Sequence, residues 1–397
     1  MGLLLVAQSA RMLAQSAARA GLSAAALDYF ADADTRRHAA RCLAVEPAPG
    51  GFDEAAWLEA ADRLAPPGEE SGLVYGGGID TRPGLVAKLA RGRTLLGNSP
   101  ATLRRVNTPK TFFHLLDTLA IPYPQTRFAP PGDLEGWLIK PGCGEGGKGV
   151  GFAAKKRPAL GDRYYQRHLQ GEAFSALFLA DGRQARIIGF NTQWTAGHDP
   201  SQPFLFAGAV NRAEIDAVQR TSVEAYARKL TAALGLVGLN SLDFMAGQGV
   251  CQVLELNPRP SATMALYDED VAEGLLAWHI AACRGRLPPN SPPSGPVRAL
   301  RIVYAPRAVV VEEDTRWPPG CADIPNPGTK IAGGQPLCSL MAQGRNPGEA
   351  EAALRTAEAE CLRGLPPALE DGRTELTPHD FTESRRAGPP AILPPHP

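Results

Sequence analysis

The stretch Leu138-Ile-Lys140-Pro-Gly-Cys-Gly-Glu-Gly-Gly-Lys148-Gly-Val-Gly151 sets Lys140 and Lys148 among five closely spaced glycines, Gly142, Gly144, Gly146, Gly147 and Gly149. Glycine backbone can turn its N–H groups toward a phosphate, and lysine ammonium groups neutralise one. The plain alternative is a loose hairpin turn, but a turn needs fewer glycines. Gly142 to Lys148 also satisfies the first seven positions of the P-loop spacing, which makes a nucleoside triphosphatase a competitor. The eighth position is Gly149, so the hydroxyl that would hold magnesium is missing, and Val150-Gly-Phe-Ala153 reads as a strand where a P-loop requires a helix. Residues 140–151 are therefore expected to form a flexible flap between antiparallel strands that closes over a nucleotide.

A second constellation lies at 239–259, where Asp243 stands on one arm of an expected hairpin and Glu255 and Asn257 on the other. Side chains alternate along a strand, so Glu255 and Asn257 share a face. Two carboxylates and an amide oxygen are hard donors suited to magnesium, which takes its remaining ligands from water and phosphates. Asp243 points the same way only in even register with Glu255, which an odd-length loop at Gly247 or Gly249 would give. The competing reading is a solvated hairpin with charges on its outer face. The apolar neighbours in Val253-Leu-Glu-Leu-Asn257 argue instead for a carboxylate held where water is scarce.

The elements that must carry these groups are expected in three regions. Leu3 to Ala7, a helical stretch from Ala10 to Ala20, a strand ending near Asp28, Cys42 to Val45, a helix from Asp53 to Leu64 and Gly72 to Tyr75 have the rhythm of an open α/β domain, assigned to 1–97. Its first turn, Ala7-Gln-Ser-Ala-Arg11, lacks the glycines of a dinucleotide site. From Trp137 onward short apolar segments separated by turns suggest antiparallel strands, followed by a helical pattern from Ala213 to Leu234 and the hairpin, giving a second domain at 98–285. The proline-rich 286–296 reads as a linker. A small, mostly β region with one helix around Glu349 to Leu362 is assigned to 297–385, and 386–397 reads as a disordered tail.

The order of Lys140 with its glycine loop, a strand-borne Gln166, Asp243, and then Leu254-Glu255-Leu-Asn257-Pro-Arg259 resembles the ATP-grasp superfamily of ligases. The resemblance runs from about Asn98 to Cys283. It implies a mixed α/β and α+β fold in which an open N-terminal α/β domain precedes the ATP-grasp domain, with a C-terminal lobe similar to that of biotin-carboxylase-like members. Carried over by position, it makes Lys110 and Lys140 the lysines that contact ATP phosphates and Lys148 part of the mobile flap. Tyr165, Gln166, Arg167 and His168 match the hinge at the adenine edge, and Glu172 is the candidate for the ribose hydroxyls. Asp243, Glu255 and Asn257 match the metal ligands, and Arg259 the cation facing the transferred phosphoryl group.

The implied cofactors are ATP and Mg2+, or Mn2+ in its place, and the implied partners are a small carboxylate and an amine, with a second copy of the chain as a further candidate. Phosphoryl transfer from ATP activates the acid, and positioning plus charge neutralisation carry the chemistry, so no protein nucleophile is required. His114 and His168 are accordingly read as structural. Overall similarity leans toward predicted carboligases, some tied to tetrahydromethanopterin- or methanofuran-type cofactor synthesis. Two alternatives stay open: a carboxylase-like reaction through carboxyphosphate, and an ATP-binding regulatory protein.

Composition bounds the partners. The 397 residues balance 41 basic against 41 acidic side chains, so no net field attracts nucleic acid or anionic lipid. The apolar run Leu3 to Ala7 is too short for a membrane span and lacks the basic residues of a secretory leader, and the chain is read as cytoplasmic. Seven cysteines without any Cys-x-x-Cys suggest neither a disulfide framework nor a zinc site, and most are read as small buried apolar residues.

Overall fold

Leu3, Leu4, Leu5 and Val6 are all buried, as a strand covered on both faces requires. They form the centre of a parallel five-stranded sheet. Its strands are β1 (Gly2–Val6), β2 (Ala24–Asp28), β3 (Arg41–Ala44), β4 (Ser71–Tyr75) and β5 (Thr94–Leu95), in the order β3-β2-β1-β4-β5. Helices α1 (Arg11–Arg19), α2 (Ala33–His38), α3 (Glu54–Leu64) and α4 (Pro83–Leu89) connect them. This computed structural model describes residues 2–46, 52–68, 71–154, 162–196, 202–247, 249–292 and 295–366. The N-terminus of α1 is already met by a carboxylate, since Asp28 Oδ2 accepts the Ala10 N–H at 2.8 Å.

Two short helices, α5 (Pro100–Val106) and α6 (Pro109–Thr118), each with proline in the first turn, lead into a small antiparallel sheet. Its strands β6 (Thr126–Arg127), β7 (Trp137–Pro141), β8 (Gly151–Phe152) and β9 (Arg163–Arg167) run in the order β6-β9-β7-β8. The glycine loop joins β7 to β8, which pair antiparallel.

The remaining strands build one eight-stranded antiparallel sheet. In chain order they are β10 (Ala173–Asp181), β11 (Ala185–Thr195), β12 (Phe206–Asn211), β13 (Val237–Gly247), β14 (Val250–Asn257) and β15 (Val297–Tyr304). A two-stranded ribbon pairs β16 (Val309–Val310) with β18 (Lys330–Ile331), while β17 (Cys321–Ala322) and β19 (Pro336–Gly344) return to the main sheet. The order β14-β13-β10-β11-β12-β15-β19-β17 puts the expected hairpin at one edge and the C-terminal strands at the other. No helix or strand occupies 286–292.

Helix α7 (Ala217–Leu234) begins four residues later than the apolar pattern suggests, because Asp216 and Gln219 form a capping box there, and it ends on Gly235 in the left-handed region. It packs Val223, Ala227 and Leu230 against the sheet, with Phe178, Leu242 and Phe244 in the same core. Helix α8 (Gly274–Cys283) covers the other face beside α1, and α9 (Pro347–Arg363) packs on β15 and β19. The tail at 386–397, and everything past 366, lies outside the described residues.

Candidate active site

The hairpin brings Asp243 directly opposite Glu255 and Ser241 opposite Asn257. The register is not set as the sequence suggests. A two-residue loop pairs Gly247 with Val250 and Phe244 with Val253, and continued regularly it would set Asp243 opposite Leu254 and turn Glu255 away. A bulge at Leu254 inserts the extra residue that returns Glu255 to the Asp243 face.

The Asn257 amide then bridges both carboxylates, its Nδ2 donating to Asp243 Oδ2 at 3.2 Å and Glu255 Oε1 at 3.3 Å, while Gln193 Nε2 and Ser241 Oγ approach Asp243 Oδ1 at 3.5 and 3.3 Å. Glu255 is exposed, contrary to the expectation of a dry carboxylate: its apolar neighbours pack away from the cleft and its own side chain faces the opening. Asp243 is the enclosed member. Burial, then the charge of Glu255, pushes its carboxyl well above the usual range.

Among the described residues no three His, Cys, Asp or Glu side chains gather as a metal cluster. Two carboxylates do converge, and they fit a hard divalent cation that draws further oxygens from phosphate and water, while the Asn257 Oδ1 accepts from Arg259 and would join them only with the amide turned over. The two neighbouring carboxylates, one raised by burial and repulsion, face the Lys140 and Arg259 cations across the cleft.

Lys140 and Gln166 stand on the facing side of the small sheet. Leu138, Lys140, Tyr164 and Gln166 share its face because Lys140 pairs with Tyr164 and Leu138 with Gln166. Lys140 Nζ donates to Gln166 Oε1 at 2.7 Å, and Gln166 in turn donates to Thr126 Oγ1 at 3.1 Å, so the lysine is aimed by a buried amide. Burial lowers the Lys140 pKa, with Glu255 and Asp243 pulling it back up. Tyr165 points to the far face, packed with Trp137 and Ile139, and its backbone lies between β6 and β7, opposite Arg127 and Ile139. The backbone N–H groups of Arg167 and His168 are taken by Gln125 O and Gly136 O. His168 packs edge-on against Phe152 at 5.2 Å and near Phe204 at 5.9 Å, and burial lowers its pKa. Lys110 is exposed on α6, its Nζ 5.6 Å from the Phe128 ring, which lies 6.3 Å from Tyr164. Glu172 stands exposed before β10, and no described contact ties it to the other residues of the site.

The glycine loop is docked. Gly146 accepts the Phe206 N–H at 2.9 Å, and a side chain on Gly147 would run into Phe204 O, at φ +74°. The N–H of Gly142 donates to Asp162 O at 2.7 Å, Gly144 lies against Pro141, and the exposed Lys148 donates its N–H to Glu145 O at 3.0 Å.

Glu145, at the tip, reaches Arg259 at 4.0 Å and fills the space beside Gly77, where an added Cβ would fall 2.4 Å from its Oε1. Arg259 also meets Asp80, Nε to Oδ2 at 3.4 Å, and donates Nη2 to Asn257 Oδ1 at 3.1 Å. Burial opposes its charge, but Asp80, Glu145, Glu255 and Asp243 outweigh burial and hold it protonated. Tyr75 and Asn98 anchor the preceding Pro258 carbonyl at 3.3 and 3.0 Å.

Asp80, Glu145, Gln193 and Tyr164 were not among the residues expected from sequence. Asp80 had a signal. It ends the turn Gly76-Gly-Gly-Ile-Asp80 after β4, and the crevice of an open α/β sheet lies where strand order reverses, here between β1 and β4. That crevice opens onto Arg259. Asp80 is 5% exposed, its Oδ1 has no hydrogen-bond partner, and burial raises its pKa despite Arg259.

Residues 109–263 match the family description of the ATP-grasp domain. The chain carries an ATP-grasp domain. The biotin carboxylase domain of the Hydrogenobacter thermophilus 2-oxoglutarate carboxylase, described in complex with MgADP, ADP and bicarbonate, superposes with a TM-score of 0.70 at 14% identity, covering 89% of each chain. N5-carboxyaminoimidazole ribonucleotide synthetase from Thermus thermophilus gives 0.65 at 18% identity, covering 89% of this chain and 97% of the other. The Staphylococcus aureus N5-carboxyaminoimidazole synthetase, complexed with ADP, gives 0.65 at 13%, covering 90% and 96%. These likenesses of fold run through the N- and C-terminal regions as well. No helix among the described residues is long and apolar enough to cross a membrane.

Proposed function

We propose that the protein is an ATP- and Mg2+-dependent, ADP-forming ligase that activates a carboxylate as an acyl phosphate and passes the acyl group to an amine. The observation that carries this reading is the convergence of Lys140, the Asp243–Glu255–Asn257 hairpin and Arg259 on one cleft beneath the docked glycine loop. The nucleotide complexes of the structural neighbours support it.

Lys140 and Lys110 serve the ATP phosphates, with the glycine loop over them, and the strand around Tyr165 to His168 with Glu172 serves the nucleoside. Asp243, Glu255 and Asn257 would hold Mg2+, which supplies neutralisation of the phosphate charge when bound. The acid's oxygen attacks the γ-phosphorus, ADP leaves, and Arg259 meets the charge on the acyl phosphate. The amine then attacks the acyl carbon, the carbon–oxygen bond to phosphate breaks, and the amine gives up a proton. Asp80, with its unpartnered oxygen, and Glu145 border the space in front of Arg259, and we assign the acceptor's N–H groups to them.

A carboxylase-like reading, with bicarbonate as the acid and carboxyphosphate as the intermediate, is favoured by the bicarbonate in the Hydrogenobacter complex. The assignment to tetrahydromethanopterin- or methanofuran-type synthesis rests on sequence resemblance alone.

The test supplies ATP, Mg2+ and a panel of small acids including bicarbonate, each with oxygen-18 in the carboxylate. An organic acid that elicits ADP, moves its label into phosphate and yields a hydroxamate with hydroxylamine fits the ligase. A response to bicarbonate alone selects the carboxylase reading. Phosphate labelled only from water, or AMP in place of ADP, overturns both.

A further inference from the structure

Outside the cleft, a set of thiols gathers at the far edge of the large sheet. Cys338 on β19 is 3% exposed and Cys361 on α9 is 1% exposed, and their sulfur atoms lie 3.6 Å apart across the helix–sheet interface. Cys321 on β17 pairs with Leu340. It therefore shares a sheet face with Leu340 and with Cys338 two residues earlier. It is only partly buried, so of the three it is the one solvent reaches. The ordinary role of such residues is as small apolar filler, and Val303, Leu340, Ala350 and Leu354 form that kind of core around them. Filler does not account for three of seven cysteines converging from three elements, with one partly exposed and two in sulfur contact.

We propose that Cys321, Cys338 and Cys361 form a peroxide-sensitive thiol relay that ends in a Cys338–Cys361 disulfide tying α9 to β19. A disulfide needs its sulfurs about 2.05 Å apart, so side-chain rotation has to close the remaining gap. The steps balance with hydrogen peroxide as the oxidant. The Cys321 thiol is oxidised to a sulfenic acid as the peroxide O–O bond breaks and one water forms. The Cys338 sulfur displaces the sulfenic oxygen as a second water, giving a Cys321–Cys338 disulfide. The Cys361 thiolate attacks the Cys338 sulfur and releases Cys321 as a thiol, its sulfur taking up the proton that Cys361 has lost. The sulfur contact pulls the Cys361 pKa below its usual value and, with Cys321 and burial, pushes the Cys338 thiol up, so Cys338 attacks only the electrophilic sulfenic sulfur and Cys361 is the better final nucleophile.

The relay touches the rest of the molecule through β17. Two residues after Cys321, the Asp323 carboxylate accepts from Ser9 and Arg11, and the N–H groups of Asp323 and Ile324 donate to Asp34. A bond formed at Cys321, even transiently, thus pulls on the segment that fastens the C-terminal strands to the N-terminal sheet.

The experiment uses the full chain carrying Cys143→Ala, which removes the exposed thiol of the glycine loop. Peroxide is added at one or two equivalents, free thiols are counted after denaturation, and a non-reduced digest is mapped by mass spectrometry. The expected result is a fall from six thiols to four, a peptide joining Cys338 to Cys361, and recovery with dithiothreitol. Cys321→Ala should slow formation of that link by at least about tenfold, because peroxide must then reach a buried sulfur. Mapping in the Cys143→Ala chain decides the matter even if Cys338→Ala or Cys361→Ala fails to fold. Six thiols surviving, or oxidation confined to Cys42, Cys251 or Cys283, would overturn the proposal, as would a Cys338–Cys361 link that forms equally fast without Cys321.

Discussion

Two buried arginines, Arg11 and Arg259, each sit among carboxylates, and their hydrogen bonding separates them. Arg11 donates Nε and Nη2 to the two oxygens of Asp323, both at 3.1 Å, and Nη1 to Gln15 at 3.1 Å. Asp34 stands 3.8 Å away and is itself occupied by backbone N–H groups of Asp323 and Ile324. Arg259 has its carboxylates at 3.4 and 4.0 Å, with its Nε and the Asp80 Oδ1 lacking hydrogen-bond partners. Bidentate, filled geometry is what a clasp between chain segments needs. Buried polar atoms left over are costly in a finished structure, and under the proposed function a ligand would complete the set at Arg259.

That contrast breaks most readily at the hairpin. Asp243→Asn and Glu255→Gln should each cut Mg2+-dependent turnover by about a hundredfold or more while thermal unfolding stays nearly unchanged, and Asn257→Asp should cost less because it keeps an oxygen donor. Steady-state rates against Mg2+ concentration, with melting curves alongside, check this. Activity retained with the same Mg2+ requirement would remove the hairpin from the site.

The arginines themselves should behave in opposite ways. Arg11→Ala leaves Asp323 and Asp34 without their cation and should cost about 3–5 kcal/mol of stability, the usual penalty for breaking a buried pair. Arg259→Ala relieves nothing so well made. It should lower phosphoryl transfer far more than ATP affinity, read as kcat against nucleotide Kd, with a smaller loss in urea midpoint than Arg11→Ala.

A smaller effect sharpens the clasp. Asp32 lies beside Asp323, Asp28 and Asp34, caps no helix N–H, and is pushed to about 8, chiefly by burial and then by those charges. An unfolded aspartate titrates near about 3.9, so between there and about 8 the folded chain holds a proton that the unfolded chain has lost. Stability contributed by this group therefore falls as pH rises through that window. Asp32→Asn should leave the melting temperature almost unchanged at pH 4 and raise it at pH 8, and an equal shift at both would contradict the assignment.

The least change is expected in the glycine loop. It already rests on Phe204 and Phe206, so ATP with Mg2+ should deepen amide protection over 142–149 only several-fold in hydrogen exchange. No gain at all would mean that the loop does not answer to nucleotide.

Local patterns made much of this legible. Leu3 to Val6, the glycines around Lys148 and the Glu255-x-Asn257-x-Arg259 run each signal within a few residues, through burial, backbone freedom and strand alternation. The Leu254 bulge did not, because a hairpin loop sets register and an extra residue inside a strand leaves no compositional mark. Glu145 against Arg259, and Arg11 against Asp323, join residues more than a hundred positions apart, which periodicity cannot see.

Strand β15 pairs with β12, and β19 follows it, so the sheet that bears the Asp243 hairpin is completed only by residues up to Gly344. During synthesis from the N-terminus, β12 emerges with an unpaired row of backbone groups and waits for about eighty-five further residues before Val297 arrives. Such an edge is a template for the wrong partner. A nascent chain of this protein thus passes through an interval of sticky, half-zipped sheet, and its yield in a cell should depend on how quickly ribosomes traverse the stretch from Arg212 to Gly344 and on what chaperones shield β12 meanwhile.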